Sequence, residues 1–143
     1  MQAKNEHKRT HARPIPLTGQ RMQSPYKGKT GLKRVWNAFF YSLAGLRAAI
    51  RHEDAFRQEV LLALILVPAA LFMPVGGIGK ALMIGSVLVV LIVELLNSAV
   101  EAAVDHTSLD HHQLAKRAKD IGSAAVLLSL LNIVLVWLLV LFA

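Results

Sequence analysis

The chain contains no cysteine, which excludes disulfide bonds and thiol chemistry. It also lacks charge, and it does so in blocks. Val60–Gly79 and Ile121–Ala143 carry no charged residue, and between Ala81 and Val104 the only ionisable groups are Glu94 and Glu101. A helix crossing a bilayer needs about 20 mostly apolar residues, so the charge-poor blocks define three candidate spans. A soluble bundle would need a charged outer face on each helix, and residues 121–143 offer none. Proline is scarce, and three of the five prolines (Pro14, Pro16 and Pro25) fall within the first thirty residues. No secretory leader is expected, because the first long apolar run begins near Val60 and residues 1–31 are polar and basic. The sequence predicts an all-α membrane protein.

The formal charge of +7 is concentrated at one end. Residues 1–34 hold nine Lys and Arg against the single acid Glu6, whereas residues 35–143 hold seven Lys and Arg against eight acids. Residues 1–30 are expected to form a basic, disordered cytoplasmic tail. Beside a membrane domain the simpler partner of such a tail is the anionic lipid surface, at roughly 1 kcal/mol per basic residue close to it. No aromatic-interleaved binding motif accompanies the charge, and no nucleic-acid partner is expected.

From residue 31 to 143 the chain reads as one integral-membrane domain. In residues 31–50, Leu32, Val35, Trp36, Phe39, Phe40, Leu43, Leu46 and Ile50 recur at three- and four-residue spacing, which predicts an amphipathic helix lying in the membrane interface. The first span is expected at about 56–73, with Pro68 tolerated as a kink, and the second at 81–104, after a short turn at Pro74–Lys80. The third is expected at 119–143, after a polar connection from Asp105 to Asp120. Lys116, Arg117 and Lys119 place that connection in the cytoplasm with the N-terminus, and the C-terminus on the periplasmic side, by the excess of basic residues in inner loops.

The chemistry concentrates in "VELLNSAVEAAVD", Val93 to Asp105. Glu94, Asn97, Ser98, Glu101 and Asp105 stand at offsets 0, 3, 4, 7 and 11, one narrow stripe on a helix turning 100° per residue. A charge at mid-span costs some 2.5–3.5 kcal/mol on insertion scales and usually marks function. Asn97 and Ser98 serve equally well as interhelical glue, but glue does not need a carboxylate such as Glu94. Lys116, Lys119, Asp120 and Ser123 share a face at the mouth of the third span, where Lys119 and Asp120 suggest an anchor and its ion pair. Glu53, near the start of the first span, offers a second carboxylate to share Mg²⁺ with Glu101 while substrate phosphates complete its shell. His106, His111 and His112 cluster with Asp105 and Asp110 without a metal-ligand spacing, and nucleotide contact is their better use. "GGIGK" lacks the spacing of a phosphate-binding loop.

"GLRAA", "EDAFRQE", "VELLNSAVEAAVD" and "AKRAKDIGSAAV", in that order around three spans, resemble the prokaryotic diacylglycerol kinases, a family of small integral-membrane lipid kinases, over about Leu32 to Ala143. The resemblance implies a homotrimer of nine spanning helices in the bacterial inner membrane, with active sites shared between protomers. It implies phosphorylation of the primary hydroxyl of diacylglycerol by ATP with Mg²⁺. On the matching positions Glu94 falls on the family's catalytic base, and Glu53 and Glu101 on its metal and nucleotide carboxylates. Arg34, Tyr41, Asp110, His111, His112, Lys119 and Asp120 fall on nucleotide contacts. Glu59, Ser123 and Trp137 fall on lipid-site positions, with Arg34, Arg47, Glu94 and Asn97 beside them. The helix at 31–50 would then gate lateral lipid entry. Lys80 stands where arginine is expected, and the loop "HTSLDHHQ" departs from the family's. Two other functions fit parts of the pattern: an undecaprenol kinase of the same architecture, and a non-enzymatic proton or ion pathway along Glu94 and Glu101. The pathway would have no use for Glu53 or for a Lys-Asp pair at the cytoplasmic mouth.

Overall fold

The computed structural model describes residues 31–107 and 113–142. All four elements are helices: α1 Leu32–His52, α2 Asp54–Phe72, α3 Gly77–Thr107 and α4 Gln113–Phe142. By internal packing the chain divides into Met1–Asn37 and Ala38–Ala143. In the first unit the described residues open α1: Gly31 adopts φ 78°, a left-handed conformation that costs glycine little, and its carbonyl accepts the Arg34 amide at 2.9 Å. The remaining account concerns the second unit.

Three helices are long and apolar enough to cross a membrane, Asp54–Phe72, Gly77–His106 and Gln113–Phe142. At 1.5 Å per residue α2 is about 28 Å long and α3 and α4 about 45 Å, against a hydrocarbon thickness of about 30 Å. The second and third spans therefore overrun the bilayer. Helix α3 takes in Gly77–Lys80, expected as turn, so that only Met73–Gly76 connects it to α2, and it continues through Asp105–Thr107. Helix α4 likewise starts at Gln113, well before the apolar block.

Antiparallel packing of α3 on α4 is visible in three pairs. A side chain at Gly79 would press on Val140, one at Gly122 would fall on Asn97, and Asp105 pairs with Lys119. Each step up α3 is matched by a step down α4. Helix α2 joins through a small core of Ala63, Val87, Val90 and Ile133, with Leu66, Val67, Leu91, Leu130 and Trp137 against it. Phe56, Ala70 and Met83 are also buried, while many large apolar side chains are exposed, Leu64, Ile65, Leu96, Leu128 and Leu139 among them, as a lipid-facing or partner-facing surface requires. In α1 the only buried residue is Ala49, and Phe39, Phe40, Leu43 and Leu46 are exposed. These four residues of the apolar stripe expected to lie in the membrane interface are thus open to their surroundings.

Two long side chains close the helix junctions. Lys80 Nζ donates to the Leu71 carbonyl at 2.6 Å, satisfying one of the carbonyls left over where α2 ends. Arg57 donates to the Ile50 carbonyl at 3.2 Å and the Arg51 carbonyl at 3.3 Å, fastening the end of α1 to the start of α2, and it also pairs with Asp54. Arg57→Ala is expected to lower unfolding stability in detergent micelles by about 1 kcal/mol, since two charge-assisted bonds are lost at a solvent-accessible site. Asp54→Asn removes only an exposed ion pair and is expected to change it by less than about 0.5 kcal/mol; chemical denaturation of the two variants side by side checks the ranking.

Candidate functional site

The polar stripe of α3 faces protein. Glu94 is 4% exposed and Ser98 8%, beside Ser86 at 4%, and Asn97 and Glu101 are half-buried. Seven residues separate Glu94 from Glu101, nearly two full turns, so they lie one above the other about 10 Å apart along the axis. Asn97 and Ser98 flank that line, some 60° to one side and 40° to the other. The structure uses both flanks. Asn97 faces Gly122 of α4, whereas Ser98 opens on a cleft between α1 and α3.

That cleft has a volume of about 550 Å³. Its α1 wall includes Ser42, Gly45 and Ala49, and its α3 wall Leu95, Ser98 and Ala102. Small residues on both walls leave room that larger side chains would fill. Glu53 stands at the end of the cleft. It caps α2 with an extended backbone, φ −110° and ψ 111°, and its side chain makes no capping bond, so the carboxylate is not tied to the first amides of the helix as a capping Ser, Thr, Asp or Asn would be.

The carboxylates form one electrostatic group. Glu94 lies within Coulombic range of Glu101 and Glu53, and Glu59 on α2 within range of Glu94. Glu101 accepts a hydrogen bond from Asn97 Nδ2 at 3.1 Å, which fixes one of its oxygens. Lys119, half-buried on α4, pairs with Asp105 Oδ1 at 2.6 Å and also feels Glu101. The expected ion pair between Lys119 and Asp120 is therefore replaced: adjacent residues of a helix point about 100° apart, and Lys119 reaches across to α3 while Asp120 stays exposed.

Other expected site residues are more scattered. Glu59 is half-buried on α2, its Oε2 buried without a hydrogen-bond partner among the described residues. Trp137 packs against the α2–α3–α4 core, about 22 Å along α4 from Gly122, and its Nε1 likewise finds no partner there. Tyr41, Arg47 and Ser123 are exposed. Arg34 lies in the first unit, and Asp110, His111 and His112 lie outside the described residues. Sequence reasoning did not anticipate Asp105 as the partner of Lys119, nor Ser42 and Gly45 as cleft residues. Their signal was the three-residue spacing of small residues on α1, which means nothing until α3 is known to face it.

Among the described residues, no group of three or more His, Asp or Glu side chains is arranged to hold a metal ion. Glu53 and Glu101 each offer carboxylate oxygens, the donor type that Mg²⁺ takes singly or in pairs while water and phosphate oxygens fill its other positions.

Comparison with known proteins gives a consistent result. Residues 40–141 match the family described as prokaryotic diacylglycerol kinase. A diacylglycerol kinase of Pseudomonas aeruginosa is 56% identical over 114 residues, covering 80% of this chain and 93% of the relative. One from Escherichia coli K12 is 46% identical over the same shares, and one from Helicobacter pylori 43% identical over 79% of this chain and 88% of its own length.

The reassigned ion pair is testable by a double-mutant cycle on thermal unfolding. Lys119→Met and Asp105→Asn are expected to be non-additive, with a small coupling because the pair is exposed to solvent. Lys119→Met and Asp120→Asn are expected to add.

Proposed function

The chain belongs to the prokaryotic diacylglycerol kinase family and is a membrane-embedded lipid kinase, and from that premise we propose that it transfers the γ-phosphoryl group of ATP to the primary hydroxyl of diacylglycerol at the Glu94–Glu101 stripe. The observation that carries the assignment is the burial of Glu94 at 4% exposure on the same stripe as Glu101, beside a cleft that Glu53 and Ser98 line. A lipid hydroxyl reaches this level from the bilayer, and a nucleotide reaches Glu101 and Lys119 from the water beyond it.

Phosphoryl transfer is mainly positioning and charge neutralisation. Glu94 accepts the proton of the attacking hydroxyl, and the transfer is direct and in line. Glu53 and Glu101 would hold Mg²⁺, which when bound neutralises the β- and γ-phosphates. Lys119, held at the mouth by Asp105, adds positive charge on the nucleotide side. Arg34, Tyr41, Asp120 and the 110–112 segment are assigned to the nucleotide, and Arg47, Glu59, Asn97, Ser123 and Trp137 to the lipid. We assign the N-terminus to the cytoplasmic face of the inner membrane and the C-terminus to the periplasmic face, on the basic residues around 116–119. The broad apolar surfaces left bare on α1, α2 and α4 support a homotrimer in which neighbours cover part of them, with residues 1–30 a basic tail at the lipid surface.

The experiment is transfer of labelled γ-phosphate in mixed micelles to diacylglycerol and undecaprenol side by side. Label is expected in phosphatidic acid, and Glu94→Gln is expected to reduce turnover at least about 100-fold, the usual scale for losing a general base, without loss of fold. Label in the polyprenol would reassign the acceptor. Full activity in Glu94→Gln would remove the base, and label in neither lipid would leave the stripe as an ion pathway.

A further inference from the structure

The half-buried amide of Asn97 has one end engaged and one end orphaned. Its Nδ2 donates to Glu101 Oε1 at 3.1 Å, and its Oδ1 is buried without a hydrogen-bond partner among the described residues. The amide cannot turn over to improve matters, because that would set its oxygen against the Glu101 carboxylate. The orphaned oxygen points at Gly122 of α4, where a Cβ would collide with it before touching anything else. Glycine is the one residue that leaves this space, the kind of small residue that lets helices approach closely in membranes.

We propose that Gly122 is a positioning residue for phosphoryl transfer, acting through Asn97 to hold the Glu101 carboxylate in its metal-binding orientation. The inference rests on the assignment of Glu101 to Mg²⁺. Any side chain at position 122 either turns the Asn97 amide or drives α4 away from α3, and both break the bond to Glu101. Glu94 lies on α3 three residues before Asn97, but the effect runs through Glu101 and so falls on metal affinity rather than on proton transfer. The helices meet here across "AKDIGSAAV" and "VELLNSAVE", so one small residue on α4 sets the geometry of a carboxylate on α3.

The test compares Gly122→Ala, Asn97→Ala, the double variant and Glu101→Gln in detergent micelles. Mn²⁺ binding is followed by electron paramagnetic resonance with a non-hydrolysable ATP analogue, and turnover is measured separately against Mg²⁺ concentration. Gly122→Ala and Asn97→Ala are each expected to raise the half-saturating metal concentration about tenfold, the scale of one lost hydrogen bond to a charged group, and in Gly122→Ala kcat at saturating Mg²⁺ is expected to change far less. The double variant, in which the crowding is relieved, is expected to match Asn97→Ala alone. Additive effects on metal binding, or a fall in kcat with metal binding unchanged, would overturn the role of Gly122 as described. If Glu101→Gln leaves Mn²⁺ binding unaltered, the assignment of Glu101 fails and this inference with it; if Glu101→Gln weakens binding while Gly122→Ala does not, only the inference fails.

Discussion

Hydrocarbon offers no hydrogen bonds, and most of this architecture follows from that constraint acting on a single carboxylate. Glu94 sits about 10 Å along the helix from Glu101, in a segment where, Asn97 and Ser98 apart, its neighbours are Leu, Val, Ile and Ala. Left to lipid it would cost several kcal/mol. The protein covers it instead, packing α3 between α2 and α4 so that Glu94 retains 4% of its exposure, while large aliphatic side chains elsewhere on the same helices remain open. Polar groups inside and apolar groups outside invert the arrangement of a soluble bundle.

The cover is built from few contacts. Asn97 against Gly122, Lys119 to Asp105 and Gly79 against Val140 set the register of α3 on α4, and the core around Val87 and Val90 brings in α2. Because α3 and α4 are longer than the bilayer is thick, the register begins in hydrocarbon and ends in water. That continuity joins the buried Glu94 to the more exposed Glu101, Asp105 and Lys119. A lipid and a nucleotide live in different solvents, and a pair of overlong helices is a direct way to let one rigid element touch both.

Much of this was legible in the sequence, for physical reasons that differ from residue to residue. The three spans showed because charge is excluded from them. The stripe of Glu94, Asn97, Ser98, Glu101 and Asp105 showed because helical periodicity is fixed. Helix ends were less legible: Asp105–Thr107 and Gln113–Asp120 are polar, and polarity alone does not say whether a helix has stopped or merely left the membrane. The pairing of Lys119 was misassigned to Asp120, since proximity in sequence is not proximity on a helix surface. The cleft at Ser42, Gly45, Ser98 and Ala102 depends on which face α1 turns towards α3, and no local pattern encodes that.

The order of the helices has a consequence for biosynthesis. The α2–α3 hairpin is tight, with four residues between its helices and Lys80 closing the end of α2, so it can form as soon as both segments leave the ribosome. Helix α4, which supplies Gly122 and Lys119, is made last. Until it arrives, one flank of α3 with Asn97 and its neighbours has no protein to lie against, and the apolar residues of α3 alone must hold that segment in the bilayer. The polar side chains of α3 are thus inserted before the α4 surface that Asn97 and Asp105 lie against.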